Sequence, residues 1–255
     1  MLTITVLGTG TSQGIPVIAC ECAVCRSFDP RDKRLRTAVM ITNNDTQVVI
    51  DAGPDFRQQM LTAKVKKLNG LVITHNHKDH TGGIDDVRAF NWIQKKPMDI
   101  YAEQPVLNTI KNDFSYAFEN DRYPGVPDIN LHPLTTLDPF AIKTLELIPI
   151  RALHHKMPVL GFRAGDFSYL TDANTIEPGE LDKMRGSRVV IINALRKEKH
   201  ISHFTLQEAV SILQELKPEQ GYITHISHQM GLHHEVQQEL PEGISLGWDG
   251  LEFRV

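Results

Sequence analysis

The sequence predicts an α/β fold. Short apolar runs at residues 71–73, 169–171, 189–193 and 221–224 read as buried strands. Stretches with helical spacing lie between them, and most of these strands run straight into His or Asp. With 255 residues, 41% hydrophobic and 23% charged, the chain can bury a sizeable core as one large domain or two small ones. A net charge of −4 gives no basic field for non-specific nucleic-acid binding. The N-terminal stretch has no secretory pattern, and no run of about 18 apolar residues suggests a membrane span. All three cysteines fall between Cys20 and Cys25, unlike a secreted disulfide framework, so a reducing cytoplasm is the expected setting.

Taken in order, residues 2–7 alternate as a strand does and break into a glycine loop, Gly8 to Gly14. Pro16 and the lack of a following Gly-Lys pair exclude a nucleotide fingerprint. The loop reads as a tight turn close to the site rather than as an anion cradle. Cys20, Cys22 and Cys25 follow, close enough that their thiolates need protons or a metal; sulfur favours zinc, and a structural zinc needs a fourth ligand from elsewhere. A small zinc-binding loop at about residues 14–36 is expected on this basis. The four basic residues of 31–36 read as a solvated loop. Residues 37–42 and 46–51 form a hairpin that ends in Asp51, before Gly53. Residues 55–64 are expected to be helical, with Phe56, Met60, Leu61 and Ala63 inward.

The stretch 71–83 is the chemical centre. His75, His77, Asp79 and His80 fall within six residues at the end of an apolar strand. Packing imidazoles and a carboxylate together loses hydration that only hydrogen bonds or a metal restore. The donor set suits zinc or manganese. His75 and His77, two apart in extended chain, point the same way. Asp79 and His80 follow a change of direction and can face a second ion beside the first.

Helices are expected at 84–92 and 105–118, and a strand at 98–102. The loop 119–128, with Tyr123, reads as a site cover or homodimer contact on one view and a surface packing loop on the other. Residues 129–171 are β-rich. The strand from 145 runs into His154 and His155, and only one of these neighbours can face a metal. Another strand ends in Asp172. His200 and His203 precede a helix opened by a Thr205–Glu208 capping box and stopped before Pro218. His203, two residues before the cap, is the better held of the pair. The last strand leads to His225, and His228 can turn away to complete the cysteine site. His233 and His234 are expected at the surface.

The pattern from Thr74 to His80, T-H-x-H-x-D-H, resembles the signature of the metallo-β-lactamase superfamily. The diiron branch of that superfamily usually has Glu in place of His77, so this chain resembles a hydrolase. The resemblance implies a single four-layer αββα sandwich with the metals at one edge of its two sheets. It implies that Asp51 orients the metal-binding loop, that Asp172 bridges both ions and that His225 is the final ligand. Position relative to Gly161 and Phe162 favours His155 over His154. One ion would then sit on His75, His77 and His155, and the other on Asp79, His80 and His225. Two features resemble the PhnP-like cyclic phosphodiesterases of the carbon–phosphorus lyase pathway: Gly8 to Pro16 running into the cysteines, and Thr224 to Gln229. They imply a structural zinc on Cys20, Cys22, Cys25 and His228, and His203 as general acid. The expected reaction is hydrolysis of a small phosphodiester by a hydroxide shared between ions about 3.5–4 Å apart. The Tyr123 region departs from that branch. PqqB-like cofactor-biosynthesis proteins also carry the cysteine motif, and tRNA 3′-processing nucleases are a further relative, although no basic arm is visible here.

Overall fold

Alternation in the first strand, β1 (Leu2–Gly8), sends Ile4 and Val6 to one face, where they pack between two sheets. The computed structural model describes residues 1–121, 123–135 and 138–255; Arg122, in the Tyr123 loop, and Thr136 and Leu137, in the β-rich region, lie outside them. The strands that follow are β2 (Ala38–Asn43), β3 (Thr46–Ile50), β4 (Gly70–Val72), β5 (Met98–Ala102), β6 (Ile129–Pro133), β7 (Phe140–Ile142) and β8 (Leu145–His154). Then come β9 (Met157–Ala164), β10 (Phe167–Leu170), β11 (Thr175–Ile176), β12 (Val189–Asn193), β13 (Gln220–Thr224), β14 (Ile244–Leu246) and β15 (Glu252–Arg254). The first sheet has the order β15-β1-β2-β3-β4-β5-β6, and the second β11-β8-β9-β10-β12-β13-β14 with β7 on β8. Each sheet joins an antiparallel half to a parallel half.

The helices are α1 (Ala23–Arg26), α2 (Phe56–Thr62), α3 (Lys78–Thr81), α4 (Arg88–Gln94), α5 (Gln104–Asp113), α6 (Pro178–Asp182), α7 (Leu206–Leu216) and α8 (His233–Glu239). Three apolar clusters define the layers. One joins the inner faces of both sheets, one packs α2, α4 and α5 on the first sheet, and one packs α6, α7 and α8 on the second. This is the expected four-layer αββα arrangement. The capping box of α7 is present, with Thr205 Oγ1 accepting from Glu208 N–H and Glu208 accepting from Thr205 N–H. Among the described residues no helix is long and apolar enough to cross a membrane.

Four local expectations change. Leu61 points outward on α2, 57% exposed, because the helix ends at Thr62 and only Phe56, Gln59 and Met60 face the sheet. The segments 84–92 and 105–118 are each a helix joined to a tighter 3-10 turn, Ile84–Val87 before α4 and Ser115–Ala117 after α5. The 31–36 stretch is no solvated loop: Asp32 and Arg34 are buried. Arg34 donates to Thr9 Oγ1 at 2.7 Å and to the Gly247 carbonyl at 2.6 Å, and it meets His233 Nδ1 at 3.1 Å. His233 is therefore interior too, with its N–H donating to Asp32, while His234 is exposed. A buried guanidinium is tolerable only with such partners.

Candidate metal centre

The C-terminal ends of β3, β4, β8, β10 and β13 converge at one edge of the sandwich. Asp51, Asp172 and His225 follow their strands with φ of 69°, 52° and 55°, a left-handed backbone that turns each side chain inward. Such conformations cost energy and cluster where function requires a particular side-chain direction. Gly53 lets the chain after Asp51 pass against the Asp79 carbonyl; a Cβ there would clash with it.

Hydrogen bonds fix the histidine tautomers. Thr74 N–H and Oγ1–H both donate to Asp51, so Thr74 Oγ1 accepts from His75 Nδ1–H at 2.9 Å. His80 Nδ1–H donates to Asp51 at 2.7 Å, and His154 Nδ1–H donates to the Ser202 carbonyl at 2.8 Å. In all three rings Nδ1 is held from behind and Nε2 is the nitrogen left to serve a metal, the orientation that partners behind a metal site impose. His75 Nε2 lies 3.1 Å from His77 Nδ1, and the His77 and His154 rings are 5.1 Å apart. On the other side, His80 Nε2 is 3.3 Å from Asp79 and 3.1 Å from Asp172, while His225 Nε2 is 3.1 Å from the other Asp172 oxygen.

The residues fit divalent ions. The Nε2 atoms of His80 and His225 are buried without a hydrogen bond of proper geometry, although carboxylate oxygens surround them. Burial disfavours charge on His80, but the Asp172 and Asp51 carboxylates outweigh it and raise that ring well above its ordinary pKa. Burial likewise opposes ionisation of Asp172 and Asp79, yet the neighbouring imidazoles hold both well below the usual carboxylate range. Three carboxylates around one buried ring constitute a demand for positive charge that a metal could satisfy.

The structure brings His75, His77, Asp79, His80, Asp172 and His225 together, with Asp51 behind them. It does not bring in His155. His154 closes β8 opposite Met157, and His155 opens the two-residue turn to β9 with φ 57° and an exposed side chain. His154 takes the position beside His77 instead. Ile150, Ala152 and His154 share one side of the strand, and that alternation was the signal for it. His203 is buried, with its ring 4.6 Å from His154 and 4.8 Å from His225, and Nδ1 3.9 Å from Asp172. Burial, then the charge of His225, pushes its imidazolium down to about 3.

The second cluster lies apart. Sγ atoms of Cys20, Cys22 and Cys25 are 3.2, 3.4 and 3.6 Å from His228 Nδ1. A tetrahedron with ordinary Zn–S and Zn–N lengths has S···N edges of roughly 3.5 Å. Val17 and Cys25 N–H groups donate to the Cys25 and Cys22 sulfurs, respectively. Burial opposes charge on Cys22, but the Cys25 N–H and His228 overcome it and bring that thiol to about 6, whereas burial pushes Cys25 up to about 11. The glycine loop runs beside His225: Ile226 N–H donates to the Thr9 carbonyl and Thr11 N–H to the Ile226 carbonyl, as a close-packed turn does.

Comparison with known proteins gives this geometry a lineage. A family model for the β-lactamase superfamily domain matches residues 46–226. A crystal structure of a new diphosphatase from the PhnP family is 37% identical, covers 100% of this chain and 98% of its own, and superposes with a TM-score of 0.93. The chain belongs to the PhnP family of the β-lactamase superfamily. This PhnP-family chain is also 39% identical over 248 residues to an octanoyltransferase of Porphyromonas gingivalis, covering 96% of this chain and 50% of that protein. It spans about half the length of the curated relatives it matches. Zinc-bound PqqB from Methylobacterium extorquens shares the fold, with a TM-score of 0.80, 14% identity and coverage of 99% and 100%. In the PhnP-family chain, the Asp79, His80, Asp172 and His225 side chains are placed as a group that could hold a divalent ion.

Proposed function

We propose that this chain hydrolyses a small phosphodiester at a paired metal centre. The observation that supports the reading is the convergence of His75, His77, Asp79, His80, His154, Asp172 and His225, in a chain similar along its whole length to a PhnP-family diphosphatase. In this reading His75, His77 and His154 hold one ion; Asp79, His80 and His225 hold the other; Asp172 is shared. When bound, the ions activate water and offset charge on the phosphoryl oxygens. Asp51 keeps His75 and His80 oriented through Thr74 and its own carboxylate. His203 faces the leaving oxygen as general acid. Cys20, Cys22, Cys25 and His228 hold a structural zinc. A second reading, cleavage of a substituted diphosphate, draws on the similarity to a diphosphatase.

The test is a substrate panel on protein stripped of metal and reloaded with zinc or manganese. Bis(4-nitrophenyl) phosphate, a 2′,3′-cyclic nucleotide and a dinucleoside diphosphate separate the two readings. Turnover that appears only on reloading supports the proposal, and turnover that survives complete metal removal refutes it.

A further inference from the structure

Beyond His203 the row of imidazoles continues outward. His77, His154, His203 and His200 follow one another with ring separations of 5.1, 4.6 and 5.2 Å. His200, half-buried at the outer end, is held in one tautomer. Its Nδ1 accepts from Ser202 N–H at 3.4 Å, so the proton sits on Nε2, which makes no hydrogen bond among the described residues. The loop that carries it is closed at its base by Leu195 N–H donating to the Phe204 carbonyl and Leu206 N–H to the Arg196 carbonyl. Arg196 is fastened there by bonds to Gln229 Oε1 at 2.6 Å and to the Lys199 carbonyl at 3.1 Å, immediately before His200. Lys197 and Lys199 are neutralised by Glu239 and Glu208. Arg196 has no carboxylate partner among the described residues, and the exposed Glu198 touches it only through its backbone oxygen. One loop thus carries a fixed guanidinium with no carboxylate partner among the described residues and, 5.2 Å from the His203 ring, an imidazole with its Nε2–H unused.

We propose that the loop 196–203 is a subsite for a second phosphate, the one that leaves, with His200 Nε2–H as donor and Arg196 as the compensating charge. The inference rests on the hydrolase reading above and narrows its substrate class to disubstituted diphosphates. In such a reaction the water oxygen bonds to one phosphorus, and the bridging P–O bond breaks. Its electron pair stays on the bridging oxygen, which departs as a phosphate monoester, and the protons of water pass to product and buffer. A leaving phosphate carries charge and needs little protonation, so a fixed cation beside it matters more than a proton donor.

The test compares diadenosine diphosphate with bis(4-nitrophenyl) phosphate, which has no second phosphate. His200→Asn keeps an acceptor for Ser202 N–H and removes the outward donor; His200→Gln restores a donor near the Nε2 position. The kcat/KM ratio of the first substrate over the second is expected to fall about 10- to 100-fold in H200N, the loss of a hydrogen bond to an anion, and to recover largely in H200Q. Calorimetry on metal-loaded protein gives an independent readout. Methylene-bridged ADP is expected to bind wild type more tightly than AMP does, and H200N is expected to lose that gain. An unchanged ratio in H200N, or equal losses on both substrates, overturns the subsite. Wild-type turnover of the nitrophenyl diester alone overturns the subsite and leaves the hydrolase reading standing. If neither substrate is turned over, the hydrolase reading fails, and an equal gain from the second phosphate in wild type and H200N overturns the subsite as well.

Discussion

His154→Ala is expected to lose one catalytic ion and at least about tenfold in kcat/KM, because its Nε2 is aimed inward by the Ser202 carbonyl behind it. His155→Ala, in the exposed turn one residue on, is expected to keep both ions and near wild-type turnover. Metal counting and steady-state rates on the two variants check this. His203→Ala should separate by leaving group: kcat on an alkoxide-leaving diester is expected to fall about 100- to 10,000-fold, with much smaller loss on a nitrophenolate diester and both ions retained. Equal losses on both substrates would remove the general-acid role. The His154 case shows what was legible. The strand, its histidines and the need for only one of them were plain in the sequence. Which one faces inward follows from alternation with Ile150 and Ala152, and position in the resembling family pointed to the wrong side.

At the scale of elements, the cysteine loop and the His/Asp cluster are separate constructions that meet through the segment after β13. His225 faces the paired centre, and His228, three residues later, faces the sulfurs. Cys22→Ser is expected to release one zinc and to lower stability severely, since a structural zinc can contribute roughly 10 kcal/mol to folding. His80→Ala is expected to abolish turnover while that zinc stays. Elemental analysis with thermal unfolding of both variants is the check; equal metal loss from both clusters in either variant would contradict two independent sites. The motif order from Asp51 to His225 was readable because Asp51, His154, Asp172 and His225 each lie at or just after the end of an apolar strand. The burial of Arg34 and His233 was not. Their partners lie 25, 213 and 199 residues from Arg34 in the chain, and no local pattern reports such a meeting.

For the whole molecule, this buried network gives stability a pH dependence. Burial, then the charges of Arg34 and Arg31, pushes His233 down to about 4. The unfolded chain takes up that proton near pH 6.5, so it binds more protons than the folded chain between the two values. The His233 contribution is therefore full above about pH 6.5 and is lost as pH falls toward 4. Asp249 acts in the opposite sense: burial raises its carboxyl to about 6, so its contribution is present at low pH and lost as pH rises through that value. The difference between wild type and His233→Gln isolates the histidine. Denaturant unfolding at pH 7 and pH 5 is expected to show wild type losing more stability on acidification than the variant; parallel losses would contradict a buried neutral His233.

The central claim is that the paired centre cleaves phosphate diesters. Its most direct measurement is kcat/KM of metal-loaded protein on bis(4-nitrophenyl) phosphate against 4-nitrophenyl phosphate. A diester brings a single negative charge and a phosphorus open to attack, whereas a monoester dianion binds the ions but resists hydroxide. The account predicts faster turnover of the diester. Faster turnover of the monoester, with both ions bound, would contradict it.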